Sequence, residues 1–201
     1  HSQSVFWVGF IGLQTGKTDV AESYFRQYLK YATKLVAKEP KKPEWQLELA
    51  YAHSNLGTVL LGKGEWKAAL ANFDKTLALF SPLAAQKPDD SALVTEISNA
   101  MAWRADALKI GGDVGGALAQ RQAQAKLLEK LLEREPQIVS AKNDYSTAMR
   151  ELGNMASLSG QSNTAMKSIQ KALAMSVELR NSDPQNAEYK LFEIMNGLDL
   201  A

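Results

Sequence analysis

The sequence predicts an all-α protein built from a repeated helical hairpin. Three residue types recur every 48 residues along the 201-residue chain. The columns are Pro40, Pro88, Pro136 and Pro184; Gly16, Gly64, Gly112 and Gly160; and Ala21, Ala69, Ala117 and Ala165. Apolar residues between the columns fall mainly at spacings of three and four, which is the helical period. A fixed period of this kind indicates hairpin units that stack on their neighbours.

The period divides the chain into four hairpins and a remainder. The units are 1–40, 41–88, 89–136 and 137–184, and residues 185–201 are expected to form a capping helix. We expect a single repeat domain over residues 1–201. Because the first unit lacks the residues that its period demands, the sequence is interpreted as a fragment of a longer protein.

Each unit is predicted to fold as helix, turn and helix. The glycine should end the first helix, because it adopts the left-handed conformation without a Cβ clash. Thr18, Asp113 and Ser162 are candidate N-caps of the second helix, where the second unit offers only Glu65. The proline should close the second helix. The alanine five residues after the glycine should let the paired helices approach closely.

Composition argues against most catalytic and metal-binding functions. The chain has no cysteine, which excludes thiolate metal sites and cysteine nucleophiles. It has two histidines, too few for most zinc sites and leaving few candidates for a histidine-based triad. The net charge of +1 gives no sign of a nucleic-acid partner. The longest apolar run, Val5–Leu13, is about half of the roughly 20 residues that a membrane helix needs. We therefore expect no enzyme activity, no cofactor, no metal and no membrane insertion, and a cytoplasmic location is favoured.

Three local patterns are interpreted as structural. The segment LQTGKTD (13–19) lacks the first glycine of a phosphate loop, and the glycine-rich 111–116 follows no strand. Both are expected to be turns between helices. His53 lies on a packed helix face and is expected to be a hydrogen-bonded packing residue.

The columns resemble the tetratricopeptide repeat (TPR), which places Leu-Gly on the first helix, Ala and a large apolar residue on the second, and a closing Pro. The second unit carries Leu56-Gly57, Ala69, Phe73 and Pro88, and the fourth carries Leu152-Gly153, Ala165, Ile169 and Pro184. The segment 45–66 is similar to the long-repeat variety found in bacterial multidomain proteins. Each helix of the second unit is seven residues longer than the ordinary pattern, which is about two helical turns.

The third unit departs from the pattern. Arg104 and Arg121 stand where Leu56 and Phe73 stand in the second unit. The two arginines could extend to the rim or pair with acids on neighbouring helices, or they could form an anion-binding spot. An error in the register is the remaining alternative.

The resemblance implies a superhelical solenoid that acts as a non-catalytic protein-interaction scaffold. Such a scaffold binds a peptide or partner segment on its concave face. The alternative is a structural, self-associating module that oligomerises a larger signalling protein. In that case the partner would be a second copy of the chain in a homo-oligomer. Carried over residue by residue, the expected groove comprises Phe6, Phe10, Leu13, Tyr51, Ser54, Thr58, Leu61, Asn99, Asp106, Lys109, Arg150, Asn154 and Ser157. Only Arg150 and Asn154 match the family's clamp for C-terminal carboxylates. Part of the aromatic stripe on the first helix could instead be core.

Overall fold

The computed structural model describes the backbone of residues 2–200 and the side chains of residues 4–199. Over this range the chain forms nine α-helices and no strand, which confirms the predicted fold class. The helices are α1 (Ser2–Gln14), α2 (Thr18–Lys38), α3 (Pro43–Gly62), α4 (Trp66–Gln86), α5 (Ser91–Ile110), α6 (Val114–Arg134), α7 (Val139–Leu158), α8 (Ser162–Ser182) and α9 (Ala187–Leu200). None of these helices is both long enough and apolar enough to cross a membrane.

The helix boundaries follow the proline and glycine columns. Helices α2, α4, α6 and α8 each contain 21 residues, and α3, α5 and α7 each contain 20. The four column glycines have φ between 71° and 85°, and they are the described residues with a positive φ. Because side chains with a Cβ rarely adopt this conformation, glycine is the residue that lets each first helix end in a tight turn.

One of the predicted N-caps is confirmed and two are wrong. The Asp113 carboxylate accepts a hydrogen bond from the backbone N–H of Gly116 at 2.8 Å. Thr18 and Ser162 are instead the first residues of their helices. The cap position falls directly after the glycine, one residue earlier than predicted, so Lys17 and Gln161 occupy it without a side-chain hydrogen bond. Glu65 occupies the same position and also makes no capping bond.

The chain forms two compact units. The N-terminal unit comprises the residues up to Leu93 together with Asp106–Gly111, and the C-terminal unit comprises Val94–Ala105 together with the residues from Gly112 onward. In the N-terminal unit, α1, α2, α3 and α4 pack in chain order. Its core is built around Phe25, Leu56, Val59, Leu60 and Phe73.

Polar contacts join neighbouring hairpins of the N-terminal unit. The Tyr28 hydroxyl on α2 donates to the Glu48 carboxylate on α3 at 2.7 Å. The Lys63 ammonium group, just after α3, lies 2.8 Å from Asp19 and 2.7 Å from Glu22 on α2. The Lys63 ammonium group therefore links the end of α3 to α2. Its hydrogen bonds lower the pKa of both the Asp19 and the Glu22 carboxyl.

In the C-terminal unit, α6, α7, α8 and α9 pack in the same sequential way. Helix α9 is attached to α8 by an ion pair between Arg180 and Glu193, whose Nε and Oε2 atoms are 2.8 Å apart. Asn196 on α9 is 2% exposed, and its amide nitrogen donates to the Ser146 hydroxyl and to the Ala172 carbonyl, both at 3.2 Å. The last helix is therefore held by an ion pair and by the buried amide of Asn196.

Candidate functional site

The aromatic residues predicted for the groove on α1 are partly core. The Phe6 ring lies 6.0 Å from Phe10 on its own helix, and 6.2 Å and 5.8 Å from Phe25 and Tyr28 on α2. Phe6, Phe10 and Leu13 are half-buried and pack against the core of the N-terminal unit. The structure thus supports the alternative that much of this stripe stabilises the first hairpin.

The predicted residues on α3 differ in how much surface they offer. Leu61 is only 8% exposed and belongs to the core, because it faces into the packed helices rather than away from them. Ser54 and Thr58 are half-buried, and the Thr58 hydroxyl donates to the Ser54 carbonyl at 3.1 Å. Tyr51 is half-buried, with its ring 6.1 Å from the Phe80 ring in an edge-to-face arrangement.

Tyr51 forms part of a cleft in the N-terminal unit, with a volume of about 170 Å³. The cleft lies where the start of α3, the end of α4 and the start of α5 meet. It is lined by Pro43, Glu44, Leu47, Tyr51, Leu83, Gln86, Lys87, Asp90, Ala92 and Leu93. A largely apolar lining with a few polar groups is typical of ligand-binding sites. We call this feature the Tyr51 cleft.

The charged residues of the Tyr51 cleft play different parts. The Asp90 carboxylate caps α5 by accepting a hydrogen bond from the Leu93 N–H at 3.1 Å. Among the described residues, neither Glu44 nor Lys87 forms an ion pair or a side-chain hydrogen bond. One carboxylate and one ammonium group at the cleft therefore remain available for a ligand.

The sequence analysis found Tyr51 but missed the other walls of the cleft. Leu47 and Tyr51 share one stripe of α3, whereas Leu83 and Leu93 come from α4 and α5. A comparison of the repeat units could have identified Leu47 together with Tyr51, because both positions are apolar or aromatic in the second unit and polar in the third and fourth units. The positions of Leu47 and Tyr51 are occupied by Thr95 and Asn99 in the third unit and by Asn143 and Thr147 in the fourth.

In the C-terminal unit, Arg150 is already bound within the chain. Its guanidinium lies 3.4 Å from the Glu151 carboxylate and 3.9 Å from the Asp199 carboxylate on α9, and its side chain is 19% exposed. The group therefore links α7 to α9, and it does not present a free cation to a carboxylate. Asn154 is half-buried, and Ser157 and Asn99 are exposed.

Two predicted groove residues lie on the part of α5 that belongs to the N-terminal unit. Asp106 is half-buried and Lys109 is exposed, and both take part in interactions with other residues. Asn99, on the same helix, belongs to the C-terminal unit. The structure thus divides the α5 positions between the two units.

The arginines of the third unit are hydrogen-bonded side chains. Arg121 is 5% exposed, and its guanidinium donates to the Gln124 amide oxygen at 2.9 Å. The Gln124 amide nitrogen donates in turn to the buried Ser98 hydroxyl at 3.2 Å. Arg104 donates to the Gln120 amide oxygen at 2.8 Å. Both arginines therefore have hydrogen-bond partners within the chain, as polar groups removed from water require.

His53 is a packed residue, as expected. Its Nδ1 atom lies 2.8 Å from the amide oxygen of Asn72 on α4. Burial lowers the pKa of the imidazole, although the hydrogen bond to Asn72 opposes this shift. The neutral ring therefore fills a position between α3 and α4. Gly16 and Gly112 likewise lie at turns between helices, whereas Gly115 and Gly116 lie in the first turn of α6.

The similarity of the chain to known proteins lies in its fold. No family model matches the sequence, and no curated protein matches it. Among solved structures, BtubC (BKLC) from P. vanneervenii is similar with a TM-score of 0.73 at 15% identity, over 98% of this chain and 69% of that chain. These paired helices thus form a TPR-like helical repeat fold.

Two further structures share this fold. The TPR-like repeats of a putative kinesin light chain from Podosopora anserina align with a TM-score of 0.64 at 13% identity, over 99% of this chain and 96% of that chain. A double mutant of MamA from RS-1 aligns with a TM-score of 0.57 at 17% identity, over 92% of this chain and 78% of that chain.

Proposed function

We propose that this chain is a non-catalytic scaffold that binds a peptide segment of a partner protein along the faces of its first helices. The Tyr51 cleft is the observation that carries the proposal. It is an apolar recess with unpaired charged groups, and the helical repeats around it provide a rigid frame. Repeat folds expose extended surfaces that suit peptide ligands.

The predicted surface residues favour an interaction over chemistry. Tyr51 supplies an aromatic side chain of the kind that dominates many protein interfaces. Asn99 and Ser157 supply exposed hydrogen-bonding groups on first helices of the repeat. Such groups orient a ligand, and they need neither a cofactor nor a metal to do so. Because the net charge of +1 provides no basic excess for a phosphate backbone, the expected partner is a protein or peptide and not a nucleic acid.

The proposal is tested by capturing partners on the immobilised chain and titrating the captured segment by calorimetry. Truncation of Tyr51 or Phe10 to alanine should weaken binding by more than about 1 kcal/mol, because buried aromatic anchors contribute strongly. Met166→Ala is the matched control. It removes an exposed apolar side chain from α8, which is the second helix of the fourth hairpin and lies outside the proposed surface. If both aromatic variants fold and bind like the control, the proposed surface is wrong.

A second candidate function, self-association, is favoured by α1. This helix carries no charged residue, and Trp7 and Ile11 are 56% and 58% exposed. An exposed apolar stripe of this kind often marks an interface. Sedimentation equilibrium tests this candidate: a dimer that persists on dilution and dissociates with Trp7→Ser and Ile11→Ser would support an oligomerising module. A monomer at all concentrations would exclude it for this chain.

A further inference from the structure

We propose that the Tyr51 cleft is a socket for one bulky apolar side chain, leucine or phenylalanine, of an extended partner segment. On either side of this anchor the segment carries one basic and one acidic residue. The inference rests on the proposed scaffold function and specifies the chemistry of the partner.

The size and lining of the cleft match one side chain. An apolar cavity of about 150 Å³ is known to hold a benzene molecule. The cleft, at about 170 Å³, is of this size. Leu47, Tyr51, Leu83 and Leu93 supply apolar walls from three helices. A single leucine or phenylalanine side chain could therefore exchange water for apolar contact with these walls.

The repeat shows that the fold does not require this lining. The units share helix boundaries, yet Leu47 and Tyr51 correspond to Thr95 and Asn99 in the third unit. A polar pair is thus accepted at the same helix positions. The Tyr51 ring packs against Phe80, but Tyr51 and Leu47 are both only half-buried and both line the cleft, so part of their surface remains accessible to a ligand.

The walls of the cleft are fixed before any ligand binds. The Tyr51 ring rests against Phe80, which is fully buried in α4. Pro43 occupies the first turn of α3, where its restricted φ suits the helix, and Asp90 caps the first turn of α5. A preorganised socket loses little conformational entropy on binding, so even one side chain can contribute measurable affinity.

Charge complementarity specifies the neighbours of the anchor. Glu44 lies in the first turn of α3, and Lys87 lies directly after α4. Both line the cleft and have no charged partner among the described residues. A segment with a basic residue near Glu44 and an acidic residue near Lys87 would pair both charges. Pairs of this kind add more to specificity than to affinity.

The experiment uses blocked tripeptides as probes and the methyl NMR signals of the full chain as the readout. The probes are N-acetylated, C-amidated Lys-Leu-Glu, Glu-Leu-Lys, Gly-Leu-Gly and Lys-Ala-Glu. We expect saturable shifts at Leu47, Leu83 and Leu93 with the leucine probes. One of the two charged leucine probes should bind at least about threefold more tightly than Gly-Leu-Gly at low salt. Lys-Ala-Glu should produce no saturable shift.

Variants copied from the third unit test the socket directly. The double variant Leu47→Thr, Tyr51→Asn should weaken binding of the leucine probes by about tenfold, because most of the apolar contact is removed. Leu70→Thr is the matched control, since Leu70 is half-buried on the same core but lies outside the cleft. Circular dichroism establishes that both proteins are folded. Probe binding that is unchanged in the double variant, or shifts spread evenly over the chain, would overturn the socket.

Failure of the socket can be distinguished from failure of the scaffold function. A captured partner whose affinity is unchanged by Leu47→Thr, Tyr51→Asn but is reduced by Phe10→Ala would overturn the socket and leave the scaffold function standing. Leucine probes that bind in the cleft of a chain that captures no protein would support the socket and contradict the scaffold function.

Discussion

The ring of Phe73 packs directly on the backbone of Gly57. A Cβ atom added to Gly57 would lie 2.7 Å from Cε1 of Phe73, which is closer than real side chains approach one another. The first and second helices of this hairpin are therefore in contact through a glycine. The first and fourth hairpins repeat the arrangement, with Gly9 against Phe25 and Gly153 against Ile169.

Gly57→Ala should lower the free energy of unfolding by about 1–3 kcal/mol, because the methyl group would force Phe73 out of its packed position. Urea denaturation followed by circular dichroism measures the change. Gly62→Ala is the control: no atom lies within 4 Å of its added Cβ, and alanine favours the helix. Equal stability of the two variants would contradict the packing described for Gly57.

Ala117→Leu should destabilise the third hairpin by about 1–3 kcal/mol through overpacking. Ala117 is almost fully buried near the start of α6, as the alanine column predicted. Ala119→Leu places the same side chain at an exposed position of the same helix and should be nearly neutral. Thermal unfolding of both variants provides the comparison. A stable Ala117→Leu variant would show that the contact at Ala117 is looser than the structure indicates.

The helical hairpins could be predicted because their boundaries depend on local chemistry. A glycine such as Gly64 ends a helix through its own φ, and Pro88 disfavours the helical conformation at Lys87, where α4 has ended. The N-caps at Thr18 and Ser162 were mispredicted because they depend on the exact length of a turn. A residue pattern shows where a turn occurs, but it does not show how many residues the turn contains.

The candidate site could be predicted only in part. Tyr51 could be identified from its position in the repeat. Leu83 and Leu93 reach the same cleft from different helices, and their convergence depends on tertiary packing. The pattern also could not show that Leu61 is buried or that Arg150 pairs with Asp199. Register identifies a helix face, but burial and pairing depend on what packs against that face.

Asn196→Ala should lower the free energy of unfolding by about 1–3 kcal/mol. The substitution removes a buried amide and leaves the Ala172 carbonyl without that donor. Leu198→Ala, at a highly exposed position of the same helix, is the control and should change stability little. Deletion of residues 185–201 should lower the melting temperature further, because it removes the whole of α9. An unchanged melting temperature after the deletion would show that α9 does not stabilise the C-terminal unit.

His53 should make the stability of the chain depend on pH near neutrality. Burial lowers its pKa in the folded state, so below about pH 6.5 the unfolded chain binds a proton that the folded chain does not. The contribution is therefore fully present above pH 6.5 and is lost as the pH falls below it. Between pH 7.5 and pH 5.5 the loss should be at most about 1.4 kcal/mol.

His53→Met is the matched variant for this prediction, because Met101 and Met149 occupy the same position in the third and fourth units. It removes the titrating ring while keeping a side chain that the repeat accepts. Urea midpoints measured from pH 7.5 to pH 5.5 should fall more steeply for the wild type than for the variant. The half-buried carboxyls Glu96 and Asp144, whose pKa values are raised by desolvation, are common to both proteins and cancel in the comparison. Parallel curves would contradict the prediction, because they would show that folding leaves the pKa of His53 unchanged.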